Sequence, residues 1–408
     1  MQLRMNGIWG SLLAVTAALA LLYLAASILP AKVNPETLKY FSAAQVERSG
    51  AYARFLRIIF VASALLTFAI MAWLAFGAKA ALLPRWAQSL TGESSLIGAA
   101  VYSFLLWLII NLINLPFSWL TSFYWSHRWG FSTQTLNGWW LDVAKSSAID
   151  ALLFTAGFAL VFLLMKRFPQ SWWLIGAIFF AVWLVIQSYL WPVLVSPLFN
   201  RFTPATDPAL LAMVGELSQK AGVPVDEVLI MDASSRTTKA NAYFAGLGRT
   251  KRIVLYDTLL GDYPFDEVKA VVGHEMAHWK QGHIMKGLLY GSAASFVLWF
   301  ALFMLYRRTV PGAQASIHGL ALLLLFFNLV SFIGSPVESA ISRQMEREAD
   351  RVGVELTGDI QGAVGLQIDL AQKNLSDIAP PAFVVWYGYS HPDAVSRITE
   401  IKKQAVRP

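Results

Sequence analysis

The 408-residue chain has no cysteine, which excludes disulfides, thiolate metal sites and cysteine nucleophiles. Charge is scarce as well. Only 14% of the residues are Asp, Glu, Lys or Arg against 56% hydrophobic, whereas a water-soluble globular protein carries about 25% charged residues. Such a chain lacks the polar surface to cover itself in water. Histidine is rarer still, with six in all. Internal repeats and low-complexity tracts are absent. The net charge of +7 falls in loops between apolar runs, where it bears on membrane topology and not on nucleic acid.

What the chain has is apolar sequence in blocks. A helix of about 20 apolar residues spans a bilayer, and seven runs qualify: about 8–29, 57–78, 97–120, 149–166, 172–195, 287–306 and 317–337. Arg4 and the cleavage-site-like "LAASILPA" would suit a signal peptide, but the first run exceeds the roughly 7–15 residues of such a segment, so a retained helix is expected. Two longer polar loops, 30–56 and 121–148, separate the first spans, and the aromatics of the second suit the membrane interface. From Asn200 to Lys286 the patterning becomes globular. "PALLAMVGELSQKAG" (208–222) predicts an amphipathic helix stopped at Gly222. "EVLIM" (227–231) and "RIVLY" (252–256) predict strands, and residues 264–283 a helix. A polar tail follows from about Ser342. Neither soluble part is large enough for a good core alone, so the two are expected to fold together.

Three of the six histidines fall within "VVGHEMAHWKQGHIMK" (271–286). On a helix turning about 100° per residue, His274 and His278 lie about 40° apart and can converge on one ion, while His283 is carried to the opposite face. The pattern left is His-Glu-x-x-His. Two neutral imidazoles suit zinc, and the Glu275 carboxylate can act as general base on a metal-bound water. The alternative of two ordinary surface or core histidines is weakened by the rarity of histidine in this chain. A catalytic zinc needs a third protein ligand, here His, Asp or Glu. The best source is "SRQMEREADRVG" (342–353), a charged helical stretch directly after the seventh run. Glu346 would be the ligand, and Asp350 one turn later would accept the free N–H of a ligating histidine. Glu348, about 200° from Glu346 on a helix, faces elsewhere. A solvated helix leaving the membrane shows the same charge alternation. His127 and His318 flank spans at no metal spacing and suit interfacial or capping roles.

These stretches, with "PLFNRFTP" (197–204), "SSRTTKANAYFAG" (234–246), "KRIVLYDTLL" (251–260) and "SHPDAVSRI" (390–398), resemble in order and spacing the type I CAAX prenyl proteases, integral-membrane zinc metallopeptidases, in a bacterial version. The resemblance runs over essentially the whole chain. "GFSTQT" (130–135) departs from it by Ser132 where Asn is usual, and Ala277 stands where many members have Gly. The resemblance implies a mainly α, polytopic protein, about seven transmembrane helices forming a barrel around a water-filled chamber, with a small α/β zinc metallopeptidase domain. The division would be 1–197 (five spans, two polar loops), 198–286 (HExxH region), 287–341 (spans six and seven) and 342–408 (third-ligand region). It also implies one Zn2+ per chain on His274, His278 and Glu346, Glu275 as base, and Asp350 behind the ligands.

His391 in "SHPD" is the family-matched donor to the oxyanion; Ser390 and Asp393 around Pro392 also suit a plain helix start, with the histidine only packing there. Asn241, Tyr243 and Arg397 are the candidate substrate contacts, the first two on an extended segment that can hold a peptide by main-chain bonds. Asn241 equally suits a turn in which it bonds its own backbone. The implied partners are a peptide substrate and the bilayer, with one chain sufficient for the site and no nucleic acid. The implied location is a bacterial inner membrane. Lys and Arg sit in short loops on both faces (Lys79, Arg85, Lys166 and Arg307 on one, Lys39, Arg48, Arg128 and Lys145 on the other), so the cytoplasmic placing of the zinc domain comes from the family. Two other functions fit parts of the sequence. Membrane quality-control proteases of the heat-shock type share the zinc motif with fewer spans. A transporter or scaffold with a vestigial zinc site would have no use for Glu275.

Overall fold

The computed structural model describes residues 3–29, 33–91, 95–246 and 251–404. The end of the cleavage-site-like run, Pro30 and Ala31, lies outside them. Among the described residues, seven helices are long and apolar enough to cross a membrane, one on each expected run. α1 (Gly7–Ile28) starts where the Asn6 side chain accepts from the Ile8 and Trp9 backbone N–H groups. α2 (Ala43–Phe76) begins well before its apolar run, at a capping box between Ser42 and Gln45. That arrangement satisfies two N-terminal backbone groups reciprocally. A short amphipathic α3 (Leu82–Thr91) follows. α4 (Ser95–Ser118) contains Pro116, and its continuation is wound as a π-helix over Trp119–Trp125 before the single turn α5 (Ser126–Arg128). α6 (Leu136–Arg167) is capped by Thr135. α7 (Trp172–Leu190) also runs into a π-helical turn, Trp191–Val195, at Pro192. Proline removes a backbone donor and clashes with the turn before it, which gives the change of winding at Pro192 an identifiable cause.

The membrane helices close a ring. α2 packs on α4, α4 on α6, α6 on α7, α7 on α11 (His283–Thr309), α11 on α12 (Leu320–Thr357), and α12 returns to α2. α1 braces the α2–α12 pair, and its buried Trp9 donates from Nε1 to Thr309 Oγ1 at 2.8 Å. The ring encloses a chamber.

The polar part is a four-stranded sheet with helices. The strands are β1 (Phe202–Pro204), β2 (Glu227–Met231), β3 (Ala242–Ala245) and β4 (Arg252–Tyr256), in the order β1-β2-β4-β3. β2 and β4 are parallel, with Leu229 opposite Val254, and the other pairs are antiparallel. β3 is therefore an edge strand. Around the sheet lie α8 (Pro208–Ala221), which ends at Gly222, α9 (Asp257–Asp262), α10 (Phe265–Lys280), α13 (Ile360–Lys373), α14 (Ala382–Gly388) and α15 (Ala394–Gln404). Its core mixes side chains from both polar segments: Leu217, Ile253 and Met276 with Ala349, Val352 and Ile398.

Two features aim this part at the ring. The first is α12, one unbroken helix that leaves the membrane and continues through the third-ligand region. The second is the crossing of α10 and α12, where Gly273 meets Gly353. A Cβ on Gly353 would come within 3.1 Å of the His274 backbone, and one on Gly273 within 2.5 Å of Thr357 Cγ2. Only glycine permits this approach. The 121–148 loop clamps the polar part from its other side. Thr133 Oγ1 donates to Ser234 O at 2.8 Å, Thr237 Oγ1 to Phe131 O at 3.0 Å, and Arg236 Nε to Asp142 Oδ2 at 2.9 Å.

Candidate metal centre and active site

His274 and His278 share one face of α10, with their Nε2 atoms 3.1 Å apart. Glu346 on α12 brings Oε2 to 3.3 Å from His274 Nε2 and Oε1 to 3.3 Å from His278 Nε2. The donor atoms of the three residues all lie within 4.8 Å of one another. Ligands sharing one tetrahedral ion at bonds of about 2.0–2.1 Å sit about 3.3 Å apart. Glu346 Oε2 is buried and has no hydrogen-bond partner.

The outer nitrogens fix which hydrogen each imidazole keeps once Nε2 has given up its own. His274 Nδ1 lies 3.0 Å from Asp350 Oδ1, so its hydrogen belongs there. His278 Nδ1 lies 3.0 Å from His283 Nδ1, and His283 Nε2 lies 3.1 Å from Glu348 Oε2. A carboxylate can only accept, so His283 donates from Nε2, and its Nδ1 accepts from His278. Both Nε2 lone pairs and a carboxylate then face one point. Two imidazoles and a carboxylate without thiolate fit a divalent metal ion. Burial by itself would depress the His274 imidazole, but the bonds to Asp350 and Glu346 outweigh it and hold the pKa at about 10. The site draws positive charge, and a metal ion competes there with a proton.

Asp350 is itself gripped by Arg397, from Nε to Oδ2 at 2.8 Å and Nη2 to Oδ1 at 2.5 Å. This two-pronged geometry is peculiar to arginine. Arg397, expected to contact the peptide, thus spends its guanidinium on Asp350 while lining the cavity beside the site. His283 stays outside the ligand group, as expected, and makes structural hydrogen bonds, but it does not turn to the opposite face. The helix of residues 264–283 stops at Lys280, because Gly282 adopts φ +65° and starts α11 in a new direction. His283 is returned to His278 instead of rotating away. Glu348 does point away from the metal ligands, but it reaches His283 and, at 3.6 Å, Lys286. A glycine four residues after His278 was the sequence signal for this turn.

Glu275 stands next to the ligands and against β3. Burial pushes its carboxyl above the ordinary value, opposed by His274 and His278 and by a bond from the Phe244 backbone. A raised carboxyl is suited to taking and returning a proton near neutral pH. His391 approaches from the loop before α15. Its Nε2 is 3.4 Å from Glu346 Oε2, its side chain is 57% exposed, and its Nδ1 is 2.8 Å from Ser390 Oγ. Asn241, His391 and Arg397 line one cavity of about 770 Å3; Asn241 Oδ1 also accepts from the adjacent Ala242 N–H at 2.9 Å. Tyr243 packs on Val254 and Met231 and lines a second cavity of about 510 Å3 with Phe244, Trp191 and Ile284. Tyr256 lines both cavities.

Residues 204–405 match the model of peptidase family M48, and residues 19–201 match "CAAX prenyl protease N-terminal, five membrane helices". The chain is 34% identical over 315 residues to the uncharacterized metalloprotease YhfN of Bacillus subtilis, covering 75% of this chain and 74% of that one. It is 31% identical to CAAX prenyl protease 1 of Saccharomyces cerevisiae, covering 71% and 69%. The crystal structure of S. mikatae Ste24p superposes with a TM-score of 0.78 at 25% identity, over 96% of this chain and 98% of that one. The chain belongs to peptidase family M48, as a multi-pass membrane metalloprotease of the CAAX prenyl protease type.

Proposed function

We propose that this chain is a zinc-dependent endopeptidase working where its chamber meets the polar domain. The observation that carries the reading is the convergence of His274 Nε2, His278 Nε2 and the Glu346 carboxylate, whose Oε2 is buried without a hydrogen-bond partner. These three would hold the ion, and Glu275 would stand beside it. When bound, zinc supplies the Lewis acidity that makes water nucleophilic near neutral pH and steadies charge on the scissile carbonyl oxygen. Glu275 takes the proton from the attacking water and returns it to the leaving nitrogen. His391, with Ser390 on Nδ1, keeps Nε2–H free to donate to the developing oxyanion. Asp350 and the His283–Glu348 pair fix the tautomers of the two imidazoles, and Arg397 fixes Asp350. The free edge of β3, packed against α10, offers main-chain groups to an extended peptide. A purely structural metal would have no use for Glu275, which weighs against a scaffold.

One chain supplies every group named, so a monomer suffices. By analogy with the relatives, the polar domain faces the cytoplasm of a bacterial cell, and lipid-modified C-terminal peptides are the first substrates to try beside unmodified ones. The test is metal analysis and hydrolysis of a quenched fluorescent peptide by Glu275→Gln in detergent. Full zinc content with almost no hydrolysis is expected. A zinc-loaded variant as active as the parent would remove Glu275 from the mechanism.

A further inference from the structure

Far from the metal centre, α4, α6 and α12 bring four polar side chains to one cavity of about 440 Å3: Trp107, Asn111, Asp150 and Asn328, between Met71 and Leu324. Four helices of the ring, α2, α4, α6 and α12, wall this one space, as they would the interior that the ring encloses. Asp150 sits near the middle of α6, at membrane depth. A carboxylate there is costly, and such residues face a water-filled interior and a partner. No charged side chain of the described residues acts on Asp150. The amides point the same way. Asn111 donates from Nδ2 to Trp107 O at 2.9 Å, and Asn328 from Nδ2 to Leu324 O at 2.8 Å. Each of these bonds uses one N–H, so each amide keeps its oxygen, together with a second N–H, for the cavity. Asn114, one turn further along α4, differs: its oxygen accepts from Ser63 Oγ at 2.6 Å and its nitrogen reaches Thr67. Asn111 Oδ1, Asn328 Oδ1 and the Asp150 carboxylate are thus acceptors without donors. The indole of Trp107 walls the same space, its Nε1 buried and unpartnered.

Three acceptors, one of them an anion, beside an indole make a receptor for an organic cation. The space is far larger than a bare metal ion needs. We infer that this is a subsite for an ammonium or guanidinium group of the substrate peptide. The inference rests on the peptidase reading and adds a substrate preference to it. From Asn328 to Glu346 α12 rises about 27 Å, which an extended peptide covers in about eight residues at roughly 3.3 Å each. The cation therefore lies about eight residues from the scissile bond.

The experiment uses the full chain in lipid nanodiscs with zinc. Neutral quenched peptides carry a single lysine, walked from about four to twelve residues from the cleavage point on either side, each paired with its norleucine analogue. The lysine-to-norleucine ratio of kcat/KM is expected to peak near position eight on one side, at about tenfold, the size of a close charge pair away from bulk water. An arginine-to-citrulline pair should behave alike. Asp150→Asn, which keeps size and hydrogen bonding, should bring the ratio close to one, and Asn328→Leu should lower it. Melting temperature and zinc content confirm that each variant is folded. A ratio that is flat along the peptide while cleavage proceeds overturns the subsite and spares the peptidase. A peak that survives Asp150→Asn, or a rate set by added Ca2+ regardless of lysine, also overturns it. No zinc-dependent cleavage of any peptide by the parent protein overturns both readings.

Discussion

His283→Phe isolates what the turn after α10 does for the metal. His283 is buried, and its ring fits between His278 and Glu348. Phenylalanine fills that space without nitrogen. When His278 binds through Nε2, its Nδ1 must carry a hydrogen, which then points at a hydrocarbon ring. A buried donor without an acceptor costs about 1–3 kcal/mol. Without metal, the imidazole can move its hydrogen to Nε2 and avoid much of that cost. The penalty therefore appears as weaker metal binding, about 10–100-fold, the range found when an outer partner of a ligand is lost. Glu348→Ala should weaken binding less, because His283 keeps its place. Zinc affinity is read by titration against a buffered chelator, with hydrolysis followed at each free-zinc level. Activity should return as zinc saturates, since the polar contacts of His283 are with His278 and Glu348 and it acts only through them. Parental zinc affinity in His283→Phe would refute the relay.

Three further outcomes are expected. His391→Ala should lower kcat by about 100-fold at unchanged zinc content and KM, as loss of one oxyanion donor does; an unchanged kcat in the zinc-loaded variant would exclude it. Gly353→Ala should lower the melting temperature and loosen zinc, because its Cβ would press within 3.1 Å of the His274 backbone and such overpacking costs about 1–3 kcal/mol. A gain in stability with parental zinc binding would refute the close crossing. Glu267 on α10 is buried near Asp369, and burial first, then that carboxylate, pushes its pKa up to about 7. The unfolded chain loses this proton near pH 4.5 and the folded chain only near 7, so stability is lost as pH rises between those values and is fully available below them. Glu267→Gln should therefore raise the melting temperature at pH 8, by an amount equivalent to about 1–2 kcal/mol, and leave it unchanged at pH 4.5; equal shifts at both would refute the titration.

The membrane half was legible because span length and apolar content are local properties, and each of the seven runs became a helix. Where those helices end was not. α2 begins at Ser42, before hydrophobicity begins, because a capping box can start a helix in polar sequence. α12 passes from apolar Leu320 through charged Glu346 to Thr357 without a break, since nothing in the charge pattern stops a helix whose lower half finds a core. "EVLIM" and "RIVLY" showed as strands by their β-branched content. β1, three residues long, had too little pattern to show. The clamp between residues 130–133 and 234–238 joins segments about a hundred positions apart through threonine hydroxyls and carbonyl oxygens, and such bonds leave no periodicity behind.

The site shows the same division between local and nonlocal information. His274 and His278 come together because both ride one uninterrupted stretch of α10. The approach of Glu346 depends on the crossing of α10 and α12, and the glycines that allow it were visible only as two letters, Gly273 and Gly353. Helical rotation separates Glu346 from Glu348 by about 200°, and the structure keeps them apart: Glu346 faces the imidazoles and Glu348 does not. Inferring from this that Glu348 is unconnected to the site assumed that His283 also stays on the α10 helix. Gly282 breaks that helix at φ +65°, which few residues other than glycine adopt readily. The break carries His283 across to lie between His278 and Glu348, so the carboxylate that faces away from the ligands still bears on one of them through a single ring. Moving that break should therefore matter as much as removing the ring. Gly282→Ala, strained at this φ, is expected to loosen zinc as His283→Phe does although every hydrogen-bonding group remains, and parental affinity in that variant would show that the turn does not hold His283 in place.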